Sequence, residues 1–480
     1  MRRSFRLSRT PLSALLVLAL PLAGCAGLGG VAPSRARLAD PANLAAPKTL
    51  DGVTLSTVAW PKTDWWTRYG DPQLNALVAE VLADNPTLGA AQARIDQALA
   101  LSGAAEASRN LQSSLNAKVT QQRFSGHSTT PRPLAGSWDW FNDATLAASY
   151  DLDFWGKNKS LIEASLDRVH ASQVDSQAAR LMLAYSTTQA YFRLAQAYDQ
   201  LALAQSVVQQ REATLDLVRQ RVGAGLDSTV DLKQAQAALP PARQQVLAQR
   251  ETIDLARSQL AALAGKGPDR GQTLQRPTLS LSQTLALPAA VPAELLGRRP
   301  DVVAQRWRVE ASLKDIKAAK AQFYPNITLN AYVGSQSLGL QHWVQAGSAI
   351  AGIGPALSLP IFDGGRLRAN LGARNAEHDL AVEQYNQTLV EAMRDVVDQI
   401  TARQWFEQQK AEQVQALETA QAAYDLAQQR YGRGLTPYLQ VLVAQSQVFA
   451  QQRQLIDLEA RALQLDANLA RALGGGVLDS

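Results

Sequence analysis

Arg221-Val222-Gly223-Ala224-Gly225-Leu226 returns as Arg430-Tyr431-Gly432-Arg433-Gly434-Leu435, 209 residues further along a chain of 480. The glycines of each copy permit positive φ and end a helix. Each copy is followed by a helix start: Asp227 or Ser228 is placed to cap the first, and Thr436 the second, with Pro437 at its first position. Gly-x-Gly also occurs in phosphate loops, but here no strand precedes it and no nucleotide fingerprint follows. A recurrence at this distance marks a repeated structural unit, which has to be recognised before any local assignment.

Working outward, apolar residues recur every seven positions on both sides of the first turn and after the second. The first copy has Leu194, Leu201, Val208, Leu215 and Val222 before the turn, and Leu232, Leu239, Val246, Ile253 and Leu260 after it. The second has Val441, Val448, Leu455, Ala462 and Leu469. Such a period predicts supercoiled helix packing. The stretches 160–222 and 366–431 lack proline, and each predicts a helix of roughly 90–100 Å. Return helices are predicted at 229–263 and 437–472, the first interrupted and kinked at Pro240-Pro241. Shorter helices are predicted at 72–108 and 301–321. The heptads alone favour a structural coiled coil.

Strand signals oppose that reading. Residues 114–124 alternate imperfectly, and 143–154 place Leu146, Ala148, Tyr150, Leu152 and Phe154 on one face. In the second half, strands are predicted at 326–336, with Ile327, Leu329, Ala331 and Val333 on one face, and at 349–361, with Ile353, Pro355, Leu357, Leu359 and Ile361. Lengths near ten residues suit a tilted membrane strand, and a soluble hairpin is the alternative for each pair. Four strands cannot close a lipid-spanning barrel, for which the known minimum is eight. Strands of this kind enter lipid only if several protomers share one barrel.

The N-terminus reads as a secretory leader. Arg2, Arg3, Arg6 and Arg9 precede the apolar run Leu12–Leu20, which is too short to span a membrane, and Leu22-Ala23-Gly24-Cys25 follows. Cys25 is the only cysteine, so no internal disulfide is possible. Leu-Ala-Gly-Cys resembles the lipobox of bacterial lipoproteins, which implies cleavage before Cys25, its lipidation, and sorting to the outer membrane because Ala26 is not aspartate. Without the leader the formal charge falls from +5 to +1. No basic tract with interleaved aromatics marks a nucleic-acid binder. At 46% hydrophobic residues the chain is not disordered.

The chain as a whole resembles the outer-membrane factor family of Gram-negative bacteria, the exit ducts of tripartite efflux systems, with the lipoprotein branch fitting best. The resemblance rests on the lipobox, on both Arg-x-Gly-x-Gly-Leu turns, on Pro360-Ile361-Phe362-Asp363-Gly364-Gly365-Arg366, and on the order helix, two strands, long helix, turn, long helix given twice. It implies a mixed α and β fold: a homotrimer with a shared 12-stranded outer-membrane β-barrel, a periplasmic 12-helix α-barrel and an equatorial domain. Its division of the chain is a leader at 1–24, a lipidated equatorial segment at 25–70, a first repeat at 71–263, an equatorial linker at 264–300, a second repeat at 301–474 and a tail at 475–480. Trp60, Trp65 and Trp66 are read as packing anchors of the equatorial belt.

The resemblance also implies a duct without catalytic residues, metal or cofactor other than lipid on Cys25. Its partners are a periplasmic adaptor protein, an inner-membrane pump of RND type and outer-membrane lipid. The turn residues Gly223, Gly225, Leu226, Gly432, Gly434 and Leu435 become adaptor contacts at the periplasmic tip. Asp216, Arg221, Asp425 and Arg430 recur at the helix ends at a spacing that allows pairing across neighbouring helices, and form a candidate gate; ordinary solvated surface pairs are the alternative. The scattered His127, His170, His342 and His378 form no catalytic or metal pattern. Efflux of small toxic compounds is the preferred function. A duct for type I polypeptide secretion and a structural coiled-coil lipoprotein are the alternatives.

Overall fold

A computed structural model describes residues 29–40, 55–56, 61–280, 287–288 and 297–476. The leader 1–24, Cys25, Trp60, most of the N-terminal segment between 41 and 60, parts of the linker and the last four residues lie outside the described residues. The chain divides into two compact units, residues 1–38, 95–171 and 305–385 in one and 39–94, 172–304 and 386–480 in the other.

The first unit holds a four-stranded antiparallel sheet. Its strands are β2 (Gln112–Arg123), β3 (Trp138–Asp151), β5 (Asn326–Leu338) and β6 (Ala349–Ser358), in the order β2-β3-β5-β6. The register sorts the side chains by face. Leu115, Leu146, Val333 and Ala351 lie in one row, and Ala148, Ala331 and Ile353 in the next. The opposite face carries Lys118, Asp143 and Gln336 in one row, and Asn116, Thr145 and Gly334 in another. One face is thus apolar and the other polar, and Leu115, Leu146, Val333 and Ile353 are all exposed. Among the described residues, β2 and β6 have an unpaired edge each.

Strand limits shift from those expected. β3 begins at Trp138 instead of 143, paired with Arg123 at the hairpin end. It stops at Asp151 because Asp153 adopts φ 43° and turns the chain toward the next helix. β6 ends at Ser358 instead of 361, ahead of Pro360, which has no N–H for a ladder. Beyond each turn an aspartate receives a long helix: Asp153 accepts from the Asn158 and Lys159 amides at 2.9 and 2.8 Å, and Asp363 from Gly365 and Leu367 at 3.0 and 2.7 Å. Those helices are α3 (Lys157–Gly223) and α6 (Arg366–Gly432), 67 residues each. Near its start α6 packs Leu367 and Leu371 with Ile316, Ala319 and Phe323 around Val31 of the N-terminal segment. Asp379 holds that segment by accepting from the Ser34 hydroxyl and the Arg35 and Ala36 amides at 2.5, 3.0 and 3.0 Å.

Among the described residues, the second unit is helical apart from turns, loops and the two-residue parallel pair β1 (Leu55–Ser56) and β4 (Leu287–Pro288). The expected helix 72–108 is two helices, α1 (Pro72–Asp84) and α2 (Pro86–Ala107). Asn85, forced extended by the following proline, separates them. Its side chain accepts from the Thr87 amide and donates to the Leu263 carbonyl at 2.6 Å. The return helices are α4 (Thr229–Leu263) and α7 (Tyr438–Ala472), and α5 (Pro300–Ala321) precedes the second strand pair.

The expected interruption at Pro240-Pro241 does not occur, for α4 runs through both prolines. Their missing donors free the carbonyls of Gln236 and Ala237, and Ala235 and Leu239 on the same turns are buried. Heptad residues Leu194, Leu215, Leu239, Ile253, Leu260, Val441, Val448 and Leu469 are buried, and Leu201, Val208, Val222, Leu232, Val246, Leu455 and Ala462 are half-buried.

A core of Trp65, Tyr69, Tyr191, Phe192, Leu260 and Ile400 has two tyrosine hydroxyls paired at its edge, while the Trp65 indole N–H is buried without a partner. Tyr191 donates to Asp71 at 2.9 Å, and Tyr69 to Asp466 at 3.0 Å. Trp65 is buried and Trp66 packs against the same core, the anchoring role expected of both.

Candidate functional site

The two glycine turns have the same backbone. Leu226 N–H donates to Arg221 O at 2.8 Å and Gly225 N–H to Val222 O at 3.0 Å. Leu435 N–H donates to Arg430 O and Gly434 N–H to Tyr431 O, both at 2.9 Å. This paired closure requires a left-handed residue, supplied by Gly225 (φ 75°) and Gly434 (φ 73°). A Cβ on Gly223, Gly225, Gly432 or Gly434 meets no atom within 4 Å, so the backbone is open to an approaching partner. Leu226 and Leu435 are 66% and 64% exposed, apolar side chains presented beside that open backbone.

The turns differ in how the next helix is received. Ser228 caps α4 in a reciprocal capping box with Asp231. Thr436 does not cap α7. Pro437 occupies the cap position, the helix begins one residue later at Tyr438, and Thr436 Oγ1 is buried without a partner. The shift seats the Tyr438 ring in the core, 5.8 Å from that of Tyr431.

Charge at the turns is arranged unequally. Arg221 Nε and Nη2 donate to both oxygens of Asp227 at 3.0 and 3.2 Å, and its guanidinium lies 4.5 Å from the centre of the Tyr431 ring. The Tyr431 hydroxyl donates to the same carboxylate. Asp227 therefore ties the first turn to the second. Burial pushes its carboxyl up, but the hydrogen bonds from Arg221 and Tyr431 outweigh this and hold it below the usual carboxylate range. Burial, joined by the bond to Asp227, raises the Tyr431 hydroxyl.

The other three gate candidates stand apart from this contact. Asp216 pairs with Arg219 at 3.0 Å on its own exposed helix face. Asp425 accepts from Gln421 at 2.8 Å, and Arg430 is exposed. Within the chain, then, Arg221 is engaged by Asp227, and neither Asp216 nor Asp425 reaches the arginine at the end of its helix. Asp227 and Tyr431 carry the linkage that sequence reasoning missed. Its signal was a difference between the copies, since Asp227 aligns with Thr436 and Tyr431 with Val222.

In the first unit the polar face of the sheet is the other chemically distinctive surface. Gln336 Nε2 donates to Asp143 at 3.3 Å beside Lys118, and the Tyr332 ring covers Gly352, leaving a Cβ there only 2.7 Å from a ring carbon. Among the described residues no cluster of His, Cys, Asp or Glu can hold a metal, and no helix is long and apolar enough to cross a membrane. Cys25 lies outside them.

The sequence profile of the family described as outer membrane efflux protein matches residues 77–266 and 291–475. The chain is 41% identical over 366 residues to the fusaric acid resistance protein FusA of Burkholderia cepacia, covering 76% of this chain and 69% of that protein. It is 31% identical over 437 residues to the multidrug resistance outer membrane protein MdtP of Escherichia coli, covering 89% of each. Among solved structures it resembles the outer membrane protein VceC of Vibrio cholerae, with a TM-score of 0.83 and 38% identity over 87% of this chain and all of that one.

Proposed function

The chain belongs to the outer membrane efflux protein family, and from that premise we propose that it acts as a homotrimer whose three open sheets close one twelve-stranded barrel in the outer membrane. It is an outer-membrane channel of a tripartite efflux system and not an enzyme. Within that system it passively carries small toxic compounds delivered by an inner-membrane pump, of RND type in this reading, through a periplasmic adaptor.

The observation that carries the barrel is the sheet. It is apolar on one face and polar on the other, with an unpaired edge at β2 and another at β6. In hydrocarbon every backbone donor and acceptor needs a partner, so such a sheet is stable there only when closed on itself. Three copies of four strands satisfy this with the polar face lining the lumen.

The twelve long helices of the trimer then form the periplasmic wall, and the glycine turns form its tip. Their open backbone and exposed Leu226 and Leu435 suit close docking by the helices of an adaptor. The Arg221–Asp227–Tyr431 contact holds the resting tip together, and Asp216, Asp425 and Arg430 remain exposed for contacts between protomers. Cys25, read as the lipidated residue of the lipoprotein branch, adds a second attachment to the membrane.

Deleting the gene should sensitise cells to the exported compounds, and the wild-type chain should restore resistance while native mass spectrometry in detergent gives three protomers. A membrane-inserted monomer, or restored secretion of a polypeptide without restored resistance, contradicts this reading.

A further inference from the structure

The two hairpins of the sheet are copies of one another, and the copying extends to their register. Leu115-Asn116-Ala117 and Val119 of β2 recur as Leu329-Asn330-Ala331 and Val333 of β5, 214 residues on. β6 follows β3 at the 209-residue spacing of the glycine turns, which also carries the start of α3, Lys157, onto the start of α6, Arg366. That spacing lays Ala147 and Ser149 on Ala356 and Ser358. The first hairpin pairs Leu115 with Leu146. The two spacings carry this pair onto Leu329 and Pro355, which is the pair observed in the second hairpin. The junction between the halves, β3 with β5, sets Leu146 opposite Val333.

Stepping that junction forward by one half-repeat carries β3 onto β6, and carries β5 onto the β2 of a following copy. We propose that β6 of one protomer pairs antiparallel with β2 of the next, with Pro355 opposite Val119, Leu357 opposite Ala117 and Ser358 opposite Asn116. The boundary between chains then repeats the junction within the chain. This rests on the shared-barrel reading and adds to it the register of the seam.

Both edges are unpaired, and the alternation of strand direction across β2-β3-β5-β6 brings them together antiparallel. The register also keeps the faces intact, since Leu357 and Ala117 belong to the apolar face and Ser358 and Asn116 to the polar one. A slip of one residue sets every apolar side chain of one edge beside the polar face of the other. Pro355 removes no more than one ladder bond from the seam.

Cysteine pairs read this register directly. Adjacent pairs in an antiparallel ladder alternate between close and wide, so two neighbouring pairs are made: Asn116→Cys with Ser358→Cys, and Ala117→Cys with Leu357→Cys. Shifted controls are Asn116→Cys with Ala356→Cys and Lys118→Cys with Ser358→Cys, and each single substitution controls for Cys25. Oxidising the membrane-purified protein should convert at least one in-register pair to a covalent trimer on non-reducing denaturing gels, while the controls stay monomeric. Two results overturn the register and leave the shared barrel standing. One is cross-linking by the shifted pairs instead; the other is no cross-link from any pair in a preparation that native mass spectrometry shows to be trimeric. A monomer by native mass spectrometry overturns the shared barrel itself.

Discussion

Asp227 is the one carboxylate on which both turns meet, with Arg221 on one side and Tyr431 on the other. Asp227→Asn keeps the shape and removes the charge. Hydrogen bonds to a charged group are each worth about 1.5–3 kcal/mol, so the variant should melt at a lower temperature and show raised single-channel conductance in planar bilayers. The pH dependence has a definite sign. A carboxyl held below its usual pKa contributes fully above the unfolded value of about 3.9, and that contribution is lost as pH falls through the lower folded value. The melting difference between wild type and Asp227→Asn should therefore be constant near neutrality and shrink below about pH 4. A difference independent of pH throughout assigns the contact to shape alone. Gly434 offers a second handle. Its φ of 73° makes Gly434→Leu cost about 1–2 kcal/mol in the backbone although space around it is open. Trimer abundance should stay near normal while adaptor cross-linking and export fall; unchanged export removes the turn from docking.

Elements were legible wherever a period ran long enough. The proline-free stretches 160–222 and 366–431, with the heptads at 194–260 and 441–469, placed α3, α4, α6 and α7 to within three residues at each end, because packing along one stripe repeats the same demand many times. Local chemistry was less legible. Trp138-Asp139-Trp140 alternates for only three residues before Phe141 breaks the pattern, too short a run to read, and its place in β3 is fixed by its partners on β2. Pro240-Pro241 lies inside α4, next to the buried Ala235 and Leu239, although each interior proline costs about 3 kcal/mol, so a local rule places a break where the fold has none. Asn85-Pro86 was a readable break that the surrounding helical pattern hid. Of the turn site, the glycines were readable from their recurrence, whereas the tie through Asp227 depends on two positions at which the copies diverge. The sheet supplies its own test at this scale. A Cβ on Gly334 falls 2.1 Å from the Ala144 carbonyl oxygen, so Gly334→Ala must part β3 from β5. It should lower the temperature at which the folded oligomer is lost on denaturing gels, and unaltered heat stability argues against that contact.

At the scale of the whole molecule, attachment and assembly are separable. Cys25→Ser should lose the acyl mass, yet a fraction of the protein should remain in the outer membrane, because the proposed barrel would insert by its own apolar face. An unmodified Cys25 in membrane-purified wild type removes the lipid from the account, and complete loss of the variant from the outer membrane makes the lipid the principal anchor. The unpaired edges of β2 and β6 set a further condition, one of time. On the proposed shared barrel, each chain travels between synthesis and assembly with two raw strand margins that any exposed strand could occupy. Escort by a chaperone or speed of encounter must shield them, so the yield of working channels should depend on how many sister chains arrive together. A scarce chain is then at risk on its journey rather than at its destination.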